Sequence, residues 1–174
     1  VVLLDNDSSV LPLAAETQIF VDGLDPSVAA KYGTVVETPD EADVVLLFLN
    51  TVFNGNQPAG TDRTLDQMMA TRFPDTNLAF SQEILAKAAS YSDVSQLVTL
   101  VDLNRPAVLT ELKDMSGAIV GTFGVSDEAM LDIVFGKHNP VGKLPFELPS
   151  SMTEVEAQLE DVPDDTANPL FPYG

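Results

Sequence analysis

The sequence lacks cysteine altogether and holds a single histidine, His138, and only 8 lysines and arginines among its 174 residues. Without cysteine there is no disulfide framework, no thiol nucleophile and no thiolate metal site. Either side of a membrane is compatible with such a chain, so the compartment stays open. One histidine without cysteine is too few ligands for a zinc site, and no cofactor is called for. The shortage of positive charge is set against 27 aspartates and glutamates, a net charge of -19. Nucleic-acid binding depends on Lys and Arg neutralising phosphates, and an anionic membrane surface repels an acidic chain, so neither is expected as a partner. A neutral ligand such as a sugar is compatible with this charge. Long apolar runs are also missing: residues 44–49 and 97–101 are the longest, too short for a bilayer. No basic, apolar, small-residue opening marks a signal peptide. The chain opens on Val1, inside an apolar run, which leads us to expect a piece of a longer protein.

What is present is an alternation of short β-branched runs with helical patterns, as in a parallel α/β sheet. Strands are predicted at 18–21, 34–36, 44–49, 97–101 and 118–121, and helices at 27–31, 77–89, 107–113 and 127–135. The runs at 44–49 and 97–101 are almost unbroken in apolar residues, the composition of strands covered on both faces. Within 77–89, Leu78, Leu85 and Ala88 recur at helical spacing. Ser126 before Asp127 and Glu128 reads as a helix start. Two stretches break the rhythm. Residues 51–76 form about 26 residues of Asn, Gly, Gln, Pro and Thr, far longer than an ordinary αβ connection. Residues 137–174, rich in Pro, Asp and Glu, read as a tail that wraps the surface. The expected organisation is one α/β domain: a linker at 1–16, a core at 17–136 and the tail at 137–174.

Familiar chemical motifs fail one by one. Gly136 to Leu144 imitates a phosphate loop, but five residues separate its glycines, Leu follows the Lys, and the stretch follows a helix. Neither the dinucleotide-binding glycine pattern nor the Gly-x-Ser-x-Gly elbow occurs. His138 lies in a Pro/Gly turn beside Lys137 and reads as an exposed turn residue. Asp161, Asp164 and Asp165 lack the spacing and turn glycine of a calcium loop and read as a solvated acidic run.

Four segments in order carry a resemblance: "VVLLDNDSSVLPL" at 1–13, "EADVVLLFL" at 41–49, "LVTLVDLNRPAVL" at 97–109, and "GAIVGTFGVSDEAMLDIVFGKHNPVGKLPFELP" at 117–149. Together with "PLFPYG" at 169–174, they resemble the C-terminal domain of glycoside hydrolase family 3, and residues 132–149 are the most specific part. Gly136, Gly142, Pro140, Pro145 and Pro149 punctuate that part as a turn and a short extended run, with Leu144, Phe146 and Leu148 alternating onto one face. These residues read as structural.

The resemblance implies a flavodoxin-like α/β fold, a mostly parallel sheet sandwiched by helices. It also implies a role as second domain of a retaining, exo-acting β-glycosidase acting on β-glucosides or related sugars. The nucleophile would lie in an N-terminal (β/α)8 barrel, the expected partner, which needs about 250 residues and cannot fit here. In many relatives the acid/base Glu lies in the loop after the 44–49 strand. Here that loop holds no Glu; its carboxylates are Asp62, Asp66 and Asp75. Asp62, beside Arg63, is the acid/base candidate, with Arg63 and Asp66 as substrate contacts. The alternative is a non-catalytic module that binds carbohydrate or packs on the barrel, which the missing Glu favours. A free-standing signalling or nucleotide domain would leave the segment at 132–149 unexplained.

Overall fold

A computed structural model of the chain describes residues 1–51, 77–159, 162 and 164–174. One sheet has six strands: β1 (Val2–Asp5), β2 (Gln18–Asp22), β3 (Thr34–Val35), β4 (Val44–Asn50), β5 (Gln96–Asp102) and β6 (Ala118–Thr122). Their spatial order is β1-β6-β5-β4-β2-β3. The strands from β2 to β6 pair in parallel, and β1 joins β6 antiparallel. Taken alone, the parallel strands follow the flavodoxin order, which reverses between β2 and β4.

Helices cover both faces. On one side lie α1 (Pro26–Ala29) and α4 (Asp127–Val134), and on the other α2 (Gln82–Ser92) and α3 (Thr110–Met115). The alternation of side chains along a strand feeds both layers at once. Val45, Leu47 and Leu49 of β4 face the α2/α3 layer, whereas Val44 and Leu46 face the α1/α4 layer. In β5, Leu97 and Val101 face α2 and α3, while Val98 and Leu100 face the opposite way. All four are fully buried, as are Ala118, Ile119 and Val120 of β6. Each leucine-sized side chain so buried contributes about 1.5–3 kcal/mol. The one polar residue inside β5, Thr99, is equally buried and shares a 2.8 Å hydroxyl hydrogen bond with Ser116.

Capping fixes the helix starts. Ser126 accepts from the Ala129 N–H at the head of α4, as its sequence predicts, and Ser81 accepts from the Ile84 N–H at the head of α2. The second cap moves a boundary. A helix was predicted over 77–89, but α2 begins at Gln82 because the preceding residues are extended: Ala79 forms a parallel bridge with Val108. The same bridge engages Val108, so α3 starts at Thr110, after the cap residue Leu109, rather than at the predicted 107. Residues 2–5, for which no strand was predicted, form β1. Asp5 there binds Lys113 of α3 at 2.9 Å, and Asn6 exchanges two 3.0 Å hydrogen bonds with the backbone of Leu11.

Past α4 the chain turns at Gly136, with φ +69°, a left-handed conformation that favours glycine. Two further strands, β7 (Leu148–Pro149) and β8 (Pro169–Phe171), pair antiparallel around the short helix α5 (Met152–Ala157). Leu144 and Leu148 are buried against the α2/α3 side, with Phe146 partly buried beside them, which matches their predicted alternation. Thr110 Oγ1 donates to the Ser150 carbonyl at 2.6 Å and ties this region to α3. Among the described residues no helix is long and apolar enough to cross a membrane.

Two-sided burial should make β4, β5 and β6 the most protected part of the chain. Amide exchange in the isolated chain is expected to be slowest over Leu97 to Val101 and the facing residues of β4 and β6. Fast exchange in β5 contradicts this. Leu100→Ala should lower unfolding free energy by roughly 2–5 kcal/mol in denaturant titration.

Candidate functional site at the carboxyl edge of the sheet

The parallel strands turn polar where they end. At that edge lie Asp22 of β2, Asn50 of β4, then Thr51, Asp102 of β5 and Thr122 of β6. Open α/β sheets place ligand sites outside this edge, because the connections to the helices diverge there and leave a crevice.

Asp102 is the centre of the edge. Its side chain is buried, with the residue only 8% exposed, yet three donors meet its carboxylate. The Gly124 N–H donates to Oδ1 at 2.6 Å and Thr122 Oγ1 donates to the same oxygen at 3.1 Å. Asn104 Nδ2 donates to Oδ2 at 2.9 Å. The Asp102 carbonyl accepts from both the N–H and the hydroxyl of Thr51, each at 3.0 Å. Thr51 Oγ1 in turn accepts from the Arg105 N–H at 3.3 Å, and Arg105 Nη2 donates to the Asn77 carbonyl at 2.9 Å. Residues 51 and 77 bracket the 52–76 segment, so the turn after β5 holds the residues on both sides of it. Beside this node Phe123 stands partly exposed, at 38%, and meets Phe146 edge to face at 6.0 Å.

Asp22 makes a second polar contact at the β2 end. Lys87 Nζ donates to it at 2.7 Å and the Tyr91 hydroxyl at 2.9 Å, pinning α2 to the strand. The chain then passes close over β4: Gly23 has φ +88°, and a Cβ there would lie 2.7 Å from the Phe48 carbonyl oxygen. Burial first, then the bond and charge of Asp22, push the Tyr91 phenol up from its ordinary value to about 12.

A third aspartate, Asp132 of α4, works away from this edge. Tyr32 donates to it at 2.7 Å, and Lys137 and His138 lie 3.7 Å and 3.8 Å away. Lys137 also sits 3.6 Å over the Tyr32 ring. The bond to Asp132 is the first cause that raises the Tyr32 phenol to about 12. His138 is exposed, as its turn context predicts.

Asp62, Arg63 and Asp66 lie outside the described residues, as does Asp161. Asp102, Asp22 and Asp132 were not singled out from the sequence. Asp102 is marked there only as the acid ending an apolar strand, followed by Asn104, Arg105 and Pro106. Among the described residues no group of three or more histidines or acids could hold a metal.

The two raised phenols keep their protons in the native state, so their contribution to stability is present below pH 10 and is lost as pH rises through about 12. Asp22→Asn, studied in a Tyr32→Phe background by ultraviolet titration, should lower the Tyr91 midpoint only part of the way to 10, because burial remains. An unmoved midpoint contradicts the Asp22 contact.

Comparison with known proteins converges on one family. Residues 29–174 match the model of the glycosyl hydrolase family 3 C-terminal domain. The chain is 40% identical over 177 aligned residues to beta-glucosidase C of Emericella nidulans, covering 99% of this chain and 27% of that protein. It is 37% identical to a periplasmic beta-glucosidase/beta-xylosidase of Dickeya chrysanthemi, covering 99% of this chain and 26% of that protein. The chain thus spans about a quarter of the length of these relatives. Among solved structures, a beta-glucosidase from Erythrobacter marinus superposes with a TM-score of 0.71 at 17% identity, over 99% of this chain and 32% of that one. A beta-glucosidase from Listeria innocua in complex with isofagomine gives 0.69 at 20% identity, over 99% of this chain and 31% of that one. Fold and sequence therefore agree: the chain belongs to the C-terminal domain family of the family 3 glycoside hydrolases.

Proposed function

We propose that this chain is the second domain of a retaining, exo-acting β-glycosidase that hydrolyses β-glucosides or related sugars together with an N-terminal (β/α)8 barrel. The observation that carries the proposal is that residues 51 and 77, which bracket the 52–76 segment, are both bonded to the β5 turn at the carboxyl edge. Both ends of the 52–76 segment are thereby rooted where α/β sheets meet ligands. The relatives named beta-glucosidase support the substrate class.

A retaining hydrolase needs two carboxyl groups about 5–5.5 Å apart, one as nucleophile and one as acid/base. Asp102 and Asp22 are engaged with donors of their own fold, which leaves neither as an obvious nucleophile. The nucleophile is assigned to the barrel. Asp62 is the acid/base in this reading, with Arg63 and Asp66 contacting substrate. A neutral sugar feels no net repulsion from a chain of charge -19. The rival reading, a non-catalytic module that binds carbohydrate or packs on the barrel, is favoured by one feature: residues 51–76 contain no Glu.

The full-length protein should hydrolyse aryl β-glucosides, while residues 1–174 alone should fold without activity. Turnover by the isolated chain refutes the division of the site. In the full-length protein, Asp62→Ala should slow substrates with poor leaving groups far more than activated aryl glucosides, because only the former need protonation. Azide should partly restore the activated substrate. Equal slowing of both substrate types, or of neither, makes the non-catalytic module the better reading.

A further inference from the structure

We propose that Asp102 is a positioning residue for the glycosidase reaction, fixing the carboxyl-edge turns in one relative geometry. This rests on the reading that the chain serves a β-glycosidase whose sugar is handled at this edge.

A buried carboxylate loses its hydration, and that loss is offset only when donors surround it. At the end of β5 a neutral side chain would avoid the loss altogether. The donors that meet Asp102 come from three places: Asn104 in the turn after β5, Thr122 at the end of β6, and the Gly124 N–H in the turn after β6. Hydrogen bonds to an ionised acceptor are roughly twice as strong as neutral ones and keep narrower geometry. The carboxylate therefore locks the turn after β5 to the turn after β6, which carries the half-open ring of Phe123. Its carbonyl locks the same node to Thr51 at the exit of β4. One residue thus ties together the ends of three neighbouring strands.

A stability role alone would look different. Asp132 also accepts a 2.7 Å bond from a mostly buried tyrosine, but it joins α4 to the region before β3, away from the carboxyl edge. The two aspartates form a natural pair of test and control.

The experiment uses the full-length protein, with Asp102→Asn and Asp132→Asn compared on aryl β-glucosides of graded leaving-group ability. Asp102→Asn keeps the shape and removes the charge. Misplacing reacting groups by about an ångström costs up to roughly a hundredfold in rate, so kcat is expected to fall roughly tenfold to a hundredfold, with KM changed far less. Asp132→Asn is expected to lower Tm while kcat per folded molecule stays at the parent value. If Asp102→Asn does not fold, Asn104→Ala and Thr122→Val, which each remove one donor, are expected to lower kcat in the same direction by smaller factors. The proposal is overturned if the parent is active and these variants lower Tm but keep the parent kcat per folded molecule, as Asp132→Asn is expected to do. A parent without β-glucosidase activity overturns the function itself, a result that cannot be confused with the first.

Discussion

Burial of the three central strands on both faces is the constraint from which the rest of the molecule follows. β4, β5 and β6 send alternate side chains into two helical layers, and almost every such side chain is apolar. A charged group inside these strands would face hydrocarbon above or below. Polar chemistry is therefore pushed to where the strands end. Thr51, Asp102 and Thr122 follow their apolar runs at the same edge, in neighbouring strands. The edge is polar because the sheet interior cannot be.

The aspartates show how one residue type takes different roles from its surroundings. Asp22 accepts from a lysine and a tyrosine and fastens a helix to a strand. Asp132 accepts from a tyrosine and lies within reach of Lys137 and His138, fastening a turn to a helix. Asp102 is more buried and is met by an amide from the turn after β5 and by a hydroxyl and a backbone N–H from the end of β6. Only the last arrangement couples the loops that leave the carboxyl edge.

Much of the fold was legible in the sequence because strand burial leaves a contiguous mark. The apolar runs of β4 and β5 lie within one residue of their observed ends, and Ser126 marks the start of α4 by a local cap. The start of α2 was not legible. Leu78 falls at helical spacing with Leu85, and only the long-range bridge between Ala79 and Val108 takes the residues before Ser81 out of the helix. β1 escaped because it has four residues, mostly half-buried, and its partner β6 lies more than a hundred residues away in sequence. The segment at 132–149 was recognisable as it stands in one piece, and its glycine turn and alternating Leu144, Phe146 and Leu148 carry their own physical explanation. The node at Asp102 had no such contiguity. Its partners at positions 51, 104, 122 and 124 come together only when the strands are aligned.

If this domain serves the proposed glycosidase, it should meet the sugar at the carboxyl edge of its sheet and not at another face. Amide exchange of the full-length protein with and without a sugar-like inhibitor such as isofagomine tests it most directly. The expected result is added protection in the turns at 103–106 and 122–125. Added protection confined to residues 136–142, or none anywhere at saturating inhibitor, would contradict the claim.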